Sequence, residues 1–281
     1  MPSLIDEIKL DALYCMFKGE PGTRKSTSAL SFPRPQYWFS WDQKQRALLL
    51  PMLAWGIKPQ EIQHDDYSDF SKARTKLEQF QQNCPFKTLI IDSITSAADS
   101  TLRQTMKMKY GQTRQSGAAA GKFVAGIAIN ELEDYGAEAS ALSEILALTK
   151  DIHQFHKVNI ILIAHVIQAE YKSITGDTHV SRTIVTAGKK IAAKIPAYCE
   201  EVYHFDKGND AQPYCCYTQH TGDEFARTSL PLDKKIVFQD RPLYTDFIIP
   251  QMERFKNDLD KLLPQIPPPT KPNIPTTEVK K

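Results

Sequence analysis

Cysteine is scarce in this chain and badly spaced for cross-linking. Its 281 residues include five cysteines, Cys15, Cys84, Cys199, Cys215 and Cys216, with no CxxC pair. An odd count without paired spacing argues against a disulfide framework or a zinc ribbon and fits a reducing compartment. No apolar run is long enough to span a bilayer. Met1–Leu10 carries acids and no apolar stretch, so no secretory leader is expected. The expectation is a cytoplasmic chain without membrane contact. Charge of one sign is also missing. A formal net charge of +2 does not by itself mark a nucleic-acid binder, so any basic surface must be local. Internal repeats are absent as well.

What is present is apolar alternation. Hydrophobic residues make up 41% of the chain, enough for a sizeable core. Ala12–Lys18 and Tyr37–Trp41 read as strands. Thr88–Asp92 (TLIID) and Asn159–Ala164 (NIILIA) are continuous apolar runs, the signature of strands buried on both faces of a parallel sheet. Helical patterns lie between them at Phe70–Gln82, Ile94–Lys109 and Glu138–Phe155. Such alternation predicts an α/β fold, a mostly parallel sheet with helices on both faces. Glu201–Phe205 and Tyr214–Gln219 read as an antiparallel hairpin at one edge. Residues 1–240 are then expected to form the main domain. Residues 241–263 carry Phe247, Ile248, Met252, Phe255, Leu259 and Leu262 at helical spacing, with Pro250 acceptable only in the first turn. Residues 264–281 hold a proline run that reads as an extended, disordered tail.

The chemistry is concentrated at KGEPGTRKST, Lys18–Thr27. The segment follows a predicted strand and opens a predicted helix, which is the context of a phosphate-binding loop. The backbone of Gly19, Glu20, Pro21, Gly22, Thr23 and Arg24 would wrap the phosphates, each residue but Pro21 offering an N–H group to their oxygens, aided by the helix N-terminus. Lys25 would reach the β- and γ-phosphates of ATP. Ser26 would give a hydroxyl to Mg²⁺, with Thr27 as substitute. Arg24 stands where such loops usually carry glycine. At positive φ it bears a steric cost that glycine avoids, or it adds a charge near the phosphates.

An acid at the end of a neighbouring strand must hold the Mg²⁺ water shell, and Asp92 ends TLIID. For the group that orients attacking water, Asp42 in FSWDQK is the candidate; the alternative is a surface acid or turn former. The next residues are Gln43 and Lys44, not glutamate, so slow hydrolysis or none is expected. His165, after NIILIA, is either a γ-phosphate sensor or a hydrogen-bonded histidine with no catalytic part. Arg227, in DEFARTS, is either an arginine reaching a neighbouring subunit's γ-phosphate or a surface ion-pair partner.

Two segments concentrate positive charge. Ser100–Asn130 contains Arg103, Lys107, Lys109, Arg114 and Lys122 and no acid. Its middle, Gly111–Gly126, is expected to be mobile. Tyr171–Ile195 contains Lys172, Arg182, Lys189, Lys190 and Lys194 against one acid, Asp177. Both are read as loops that could track a single strand of DNA, with Tyr110 or Tyr171 stacking on bases, or else as solvated surface.

GEPGTRKST, TLIIDSIT, EDYGAEAS, NIILIAHV, TAGKKIAAKIPAYCEEVYHF and DEFARTS together resemble the phage-encoded RecA-like ATPases (phage nucleotide-binding or AAA domain proteins), which include single-strand annealing proteins. The resemblance spans about Leu13–Leu232. It implies a RecA-like P-loop core, a homo-oligomeric ring or filament, single-stranded DNA as partner, and a role in recombination or replication. Two other readings stay open: a nucleotide-switched assembly protein without DNA contact, and a P-loop small-molecule kinase, against which stands the lack of an arginine-rich lid.

Overall fold

Strands of this chain bury both parities of their side chains, and that fixes the layering. The computed structural model describes residues 12–116, 123–124, 127–128, 132–172, 178–186, 189–208, 214–221 and 225–262. Its strands are β1 (Tyr14–Gly19), β2 (Gln36–Ser40), β3 (Ile62–Asp66), β4 (Thr88–Asp92), β5 (Phe123–Val124), β6 (Ile127–Ala128), β7 (Asn159–Lys172), β8 (Thr178–Ile184), β9 (Glu201–Lys207), β10 (Tyr214–Tyr217) and β11 (Lys235–Val237). The helices are α1 (Lys25–Leu30), α2 (Leu49–Ala54), α3 (Phe70–Gln82), α4 (Ile94–Ser116), α5 (Leu132–His156), α6 (Lys189–Tyr198) and α7 (Ile249–Leu262).

Among the described residues the main sheet has nine strands, in the order β11-β10-β9-β1-β7-β4-β2-β3, with β8 paired to β7. From β9 to β3 every neighbouring pair is parallel; β10 and β11 close the other edge in antiparallel pairing. This is the α/β core of a P-loop NTPase. Tyr14, Met16, Leu89, Ile91, Ile160 and Leu162 point to one face, where α3, α4, α5 and α6 cover them. Leu13, Cys15, Phe17, Trp38, Ile90, Ile161 and Ile163 point to the other, under α1 and the chain's last helical segment. Both sides of β1, β4 and the first half of β7 are therefore dry, which is why those runs are apolar without alternation, whereas the edge strand β3 is largely exposed.

TLIID and Phe70–Gln82 form the strand and helix that their patterns predict. The sequence reading departs from the structure elsewhere. β7 does not stop at Ala164; it runs on to Lys172 and pairs antiparallel with β8. The segment Tyr171–Ile195, expected as a basic loop, is thus partly a β-ribbon and partly helix α6. Past residue 164 polar and apolar residues mix, because this part leaves the sandwich. Helix α4 likewise continues to Ser116, into the stretch expected to be mobile. The predicted hairpin forms between β9 and β10, yet β9 also pairs parallel with β1, and β11 is the edge.

The helix expected at 241–263 begins as a π-helical turn, Tyr244–Ile248, and continues as α7 with Pro250 as its second residue. Leu243, Tyr244, Ile248 and Met252 are buried against the sheet face that carries α1. Residues 264–281 lie outside those described. No helix among the described residues is long and apolar enough to cross a membrane.

Candidate functional site

Parallel register brings four strand ends together. Gly19 at the end of β1 lies opposite His165 of β7 and Phe205 of β9. Asp92 at the end of β4 lies opposite Ser40 of β2 and Ile163 of β7. The backbone N–H groups of Trp41 and Asp42 both donate to the Asp92 carbonyl, at 2.8 and 3.4 Å, which folds the chain after β2 over the end of β4.

The loop between β1 and α1 is shaped by close approach. A Cβ on Gly19 would lie 2.3 Å from the Phe205 carbonyl oxygen, so only glycine fits there. Gly22 has φ 78° and Arg24 φ 64°, both left-handed. Thr23 Oγ1 donates to the Glu20 carbonyl at 2.8 Å, and Ser28 N–H to the Arg24 carbonyl at 2.9 Å, which begins the helix.

Lys25 is 4% exposed. Its Nζ donates to the carbonyls of Gly19 (2.8 Å) and Glu20 (2.7 Å) and to Thr23 Oγ1 (3.3 Å). Burial pushes its pKa down to about 8, against the pull of the Asp92, Asp42 and Glu20 carboxylates. Ser26 Oγ donates to Asp92 Oδ2 at 3.0 Å. Burial, then the nearby Asp42 charge, push the Asp92 carboxyl up to about 6, while Ser26, His165 and Lys25 oppose the rise.

Asp42 is the counterpart. Its Oδ2 lies 3.1 Å from His165 Nε2, and Ser93 Oγ donates to its Oδ1 at 3.2 Å. Burial would raise its pKa, but hydrogen bonds from His165 and Ser96 and the charge of Lys44 prevail and hold it near 2. His165 N–H is held by Thr95 Oγ1 at 3.0 Å, and its carbonyl accepts from Val185 N–H at 2.9 Å, where β8 ends. Its buried Nδ1 has no partner among the described residues.

Pro21 through Thr27, with Asp42, Asp92 and His165, line a cavity of about 240 Å³. A wider cleft of about 650 Å³ shares Asp42 and Lys44 with it and extends to Arg103 and Lys107. The donor set suits a polyphosphate with Mg²⁺. The backbone N–H groups of such a loop and its buried lysine fit phosphate oxygens. A hydroxyl beside a carboxylate fits a hard cation. No group of three His, Cys, Asp or Glu side chains gathers as a metal site among the described residues. Ser26 and Asp92 would therefore share Mg²⁺ with the nucleotide's own oxygens, as that ion usually requires.

The remaining sequence candidates fall elsewhere. Arg24 does not aim its charge at the phosphates. Its Nη1 donates to the Gln239 carbonyl at 2.8 Å and pairs with Asp240, and its guanidinium lies 3.9 Å from the Tyr214 ring centroid. Arg227 spends its Nη2 on the carbonyls of Cys199, Pro196 and Ala197, at the carboxyl end of α6. Its reading as a phosphate-reaching arginine gives way to helix capping within its own chain. Arg103 pairs with Asp99 at 2.6 Å. Arg182 sits beside the phosphate loop, 3.9 Å from Glu20 and 3.7 Å from Asp206. Lys122 and the side chains of Lys109, Arg114, Lys172, Lys189 and Lys190 lie outside what is described. Sequence reasoning missed Lys44, Thr95 and Lys207, whose Nζ lies 3.5 Å from where a Gly22 Cβ would stand. Of these only Thr95 carried a local signal, as the hydroxyl in DSIT after the strand-ending acid.

A family model described as an AAA domain matches residues 12–230. A search of curated proteins finds no match. The matched region takes in the phosphate loop, Asp92 and His165 and covers well over half of the sequence, so the chain belongs to the AAA domain family of nucleotide-binding P-loop ATPases.

Proposed function

We propose that this chain is a RecA-like ATPase of the kind phages encode, which uses ATP and Mg²⁺ to control its grip on single-stranded DNA during recombination, annealing or replication. The observation that carries the reading is the Asp42–His165 hydrogen bond of 3.1 Å. It joins the phosphate end of the cavity to the one strand, β7, that leaves the sheet as a ribbon with β8. Lys25 and the loop amides bind phosphate oxygens, and Ser26 and Asp92 hold Mg²⁺. Asp42 fixes the orientation of His165. With its pKa near 2 it is a weak proton acceptor at neutral pH, because a general base works best near the operating pH. Slow turnover follows, with the nucleotide acting chiefly as a switch. Mg²⁺ supplies Lewis-acid stabilisation of the phosphoryl oxygens when bound.

The test is the ATPase rate and nucleotide affinity with and without a single-stranded oligonucleotide, at low and high salt. The strand should stimulate turnover or tighten nucleotide binding, with strand affinity falling steeply as salt rises. Indifference of both nucleotide and protein to single strands at low salt would discard the reading.

Exposed leucines favour a second reading, assembly driven by nucleotide without DNA. Leu49, Leu50 and Leu53 are exposed on α2, next to Leu48, which lines the nucleotide cavity. Sedimentation with and without ATP, in the absence of DNA, separates the two. ATP-dependent association without strand-stimulated turnover supports assembly alone.

A further inference from the structure

The turn after β2 carries a lysine over the phosphate end of the nucleotide cavity. Gln43 has φ 53°, in the left-handed region, and its N–H donates to Ser40 Oγ at 3.2 Å. Gln45 Nε2 donates to the same hydroxyl and to Asp66 Oδ1, the latter at 2.7 Å. Ala47 N–H donates to the Lys44 carbonyl at 3.0 Å, which opens the 3₁₀ turn Gln45–Leu48. Both neighbours of Lys44 are therefore tied to Ser40, while its own side chain is 74% exposed. Its Nζ lies 3.8 Å from Asp42 Oδ2, an ion pair longer than a hydrogen bond. Asp42 keeps its closer contacts for His165 and Ser93. Lys44 lines both the nucleotide cavity and the wider cleft beside it, so it stands where the two meet.

We propose that Lys44 binds the γ-phosphate of a nucleotide from within its own chain, and so lets the site tell ATP from ADP. The inference rests on the nucleotide site and deepens the switch reading; it does not need the DNA reading. Asp42 and Asp92 both face this end of the cavity, and a terminal phosphate adds further negative charge there. A cation within reach must offset it. Lys25, 4% exposed, is held deep against the loop by the Gly19 and Glu20 carbonyls. Lys44 comes from the exposed rim. Burial is the main cause of the lowered pKa of Lys25, and the charge of Lys44 adds to it, so the two ammonium groups lie within electrostatic reach of each other. Two such cations around one polyanion form a clamp of the kind that stabilises phosphoryl groups. Arg24 and Arg227, the arginines that the sequence offered near phosphate, are engaged elsewhere in the chain. A lysine suits the rim, because its compact charge rides on a flexible stem and can leave Asp42 for a phosphate. A terminal phosphate carries more negative charge than one carboxylate, so the exchange favours the nucleotide. ADP lacks that group, and Lys44 then stays with Asp42.

The test compares two affinities and needs no turnover. The full chain, Lys44→Ala and Lys44→Arg are each titrated, with Mg²⁺, into fluorescent ADP and into a fluorescent imido analogue of ATP that resists hydrolysis, and binding is read by anisotropy. Lys44→Ala should weaken the analogue by about 10-fold, the low end for a charge-assisted contact because the side chain is exposed, and should move ADP by less than about twofold. Lys44→Arg, which keeps the charge, should recover most of the loss. Added salt should shrink the parent's preference for the analogue. Mixing Lys44→Ala with Lys25→Ala chains tests whether the lysine acts within its own chain: the second variant has an intact Lys44 and a silenced pocket, so recovered analogue affinity in the mixture would assign the lysine to a neighbouring subunit and overturn the proposal. If Lys44→Ala keeps the parent's ratio of affinities within about twofold, whether both nucleotides are unaffected or both weaken together, the proposal falls while the nucleotide site stands. A parent chain that binds neither nucleotide overturns both.

Discussion

Lys25 and Asp92 face the same ligand with opposite proton demands. Nucleotide with Mg²⁺ needs Lys25 charged and Asp92 ionised. Asp92 is pushed up to about 6, chiefly by burial, so below that pH a proton competes with the metal. Lys25 is pushed down to about 8, again chiefly by burial, so above that pH the ammonium is lost. Affinity for Mg²⁺-nucleotide should peak between about pH 6 and 8. The acid limb should vanish in Asp92→Asn, and Lys25→Ala should lower affinity by about 10- to 100-fold or more at the peak. Titration of a fluorescent nucleotide across pH checks both; a flat profile in the parent protein would contradict the geometry. The same shift has a stability sign. The folded pKa of Asp92 lies above that of an unfolded carboxyl, so its contribution is full below about pH 4 and is lost as pH rises through about 6. Arg24 gives a second prediction. Its left-handed backbone costs about 1–2 kcal/mol, which glycine would relieve. Its ion pair with Asp240 is largely exposed and contributes little, about 0–1 kcal/mol. Arg24→Gly should therefore stay within about 1 kcal/mol of the parent, while Arg24→Ala, which keeps the strain and loses the contacts, should be less stable than either. Urea midpoints for the three proteins test that order.

Elements differ in how well the sequence announces them, and the reason is where each finds its partners. TLIID and NIILIA were legible because both faces of β4 and the first half of β7 are covered, so no residue had to be polar. The loop from Gly19 to Thr27 was legible because its glycines and lysine answer to local backbone geometry. The second half of β7 was not: its stability comes from β8, and its mixture of Gln168, Glu170 and Lys172 with apolar residues looks like a loop. The Arg24 contacts were invisible for a similar reason, since Gln239 lies 215 residues away. Register gives the test at this scale. β1 can sit against β9 only because Gly19 has no side chain. Gly19→Ala would drive a Cβ into a backbone carbonyl that cannot rotate away. The variant should lose about 3 kcal/mol or more, with β1 parting from β9 at its phosphate end. Amide hydrogen exchange of Phe205 and Asp206 should rise with it. Normal stability in Gly19→Ala would mean that the two strands do not pack this closely.

At the scale of the whole molecule, the C-terminal segment belongs to the nucleotide site although it follows the family-matched region. Tyr244 N–H donates to Ser31 Oγ at 2.9 Å, just past α1, and the Tyr244 ring lies 4.4 Å from that of Phe32. Asp240 holds Arg24 of the phosphate loop and, through its carbonyl, Trp55 Nε1 at 3.1 Å. Residues 239–252 thus brace the helix that follows the loop. Burying Leu243, Tyr244, Ile248 and Met252 contributes roughly 1.5–3 kcal/mol each. In a domain of this size each kcal/mol moves Tm by about 2–4 °C. Ending the chain after Asp240 should therefore lower Tm by more than about 10 °C, or leave no folded protein. Ending it after Leu262 removes none of the described contacts and should leave Tm within about 2 °C. The chain ending after Leu262 should also keep the parent's rise in Tm on adding ATP and Mg²⁺, because at fixed nucleotide concentration that rise follows affinity for the folded state. Calorimetry of the two truncations, with and without nucleotide, decides the matter. Equal melting of both would mean that the last helix rests on the domain without supporting it, and the phosphate loop would then owe its shape to β1, β9 and α1 alone.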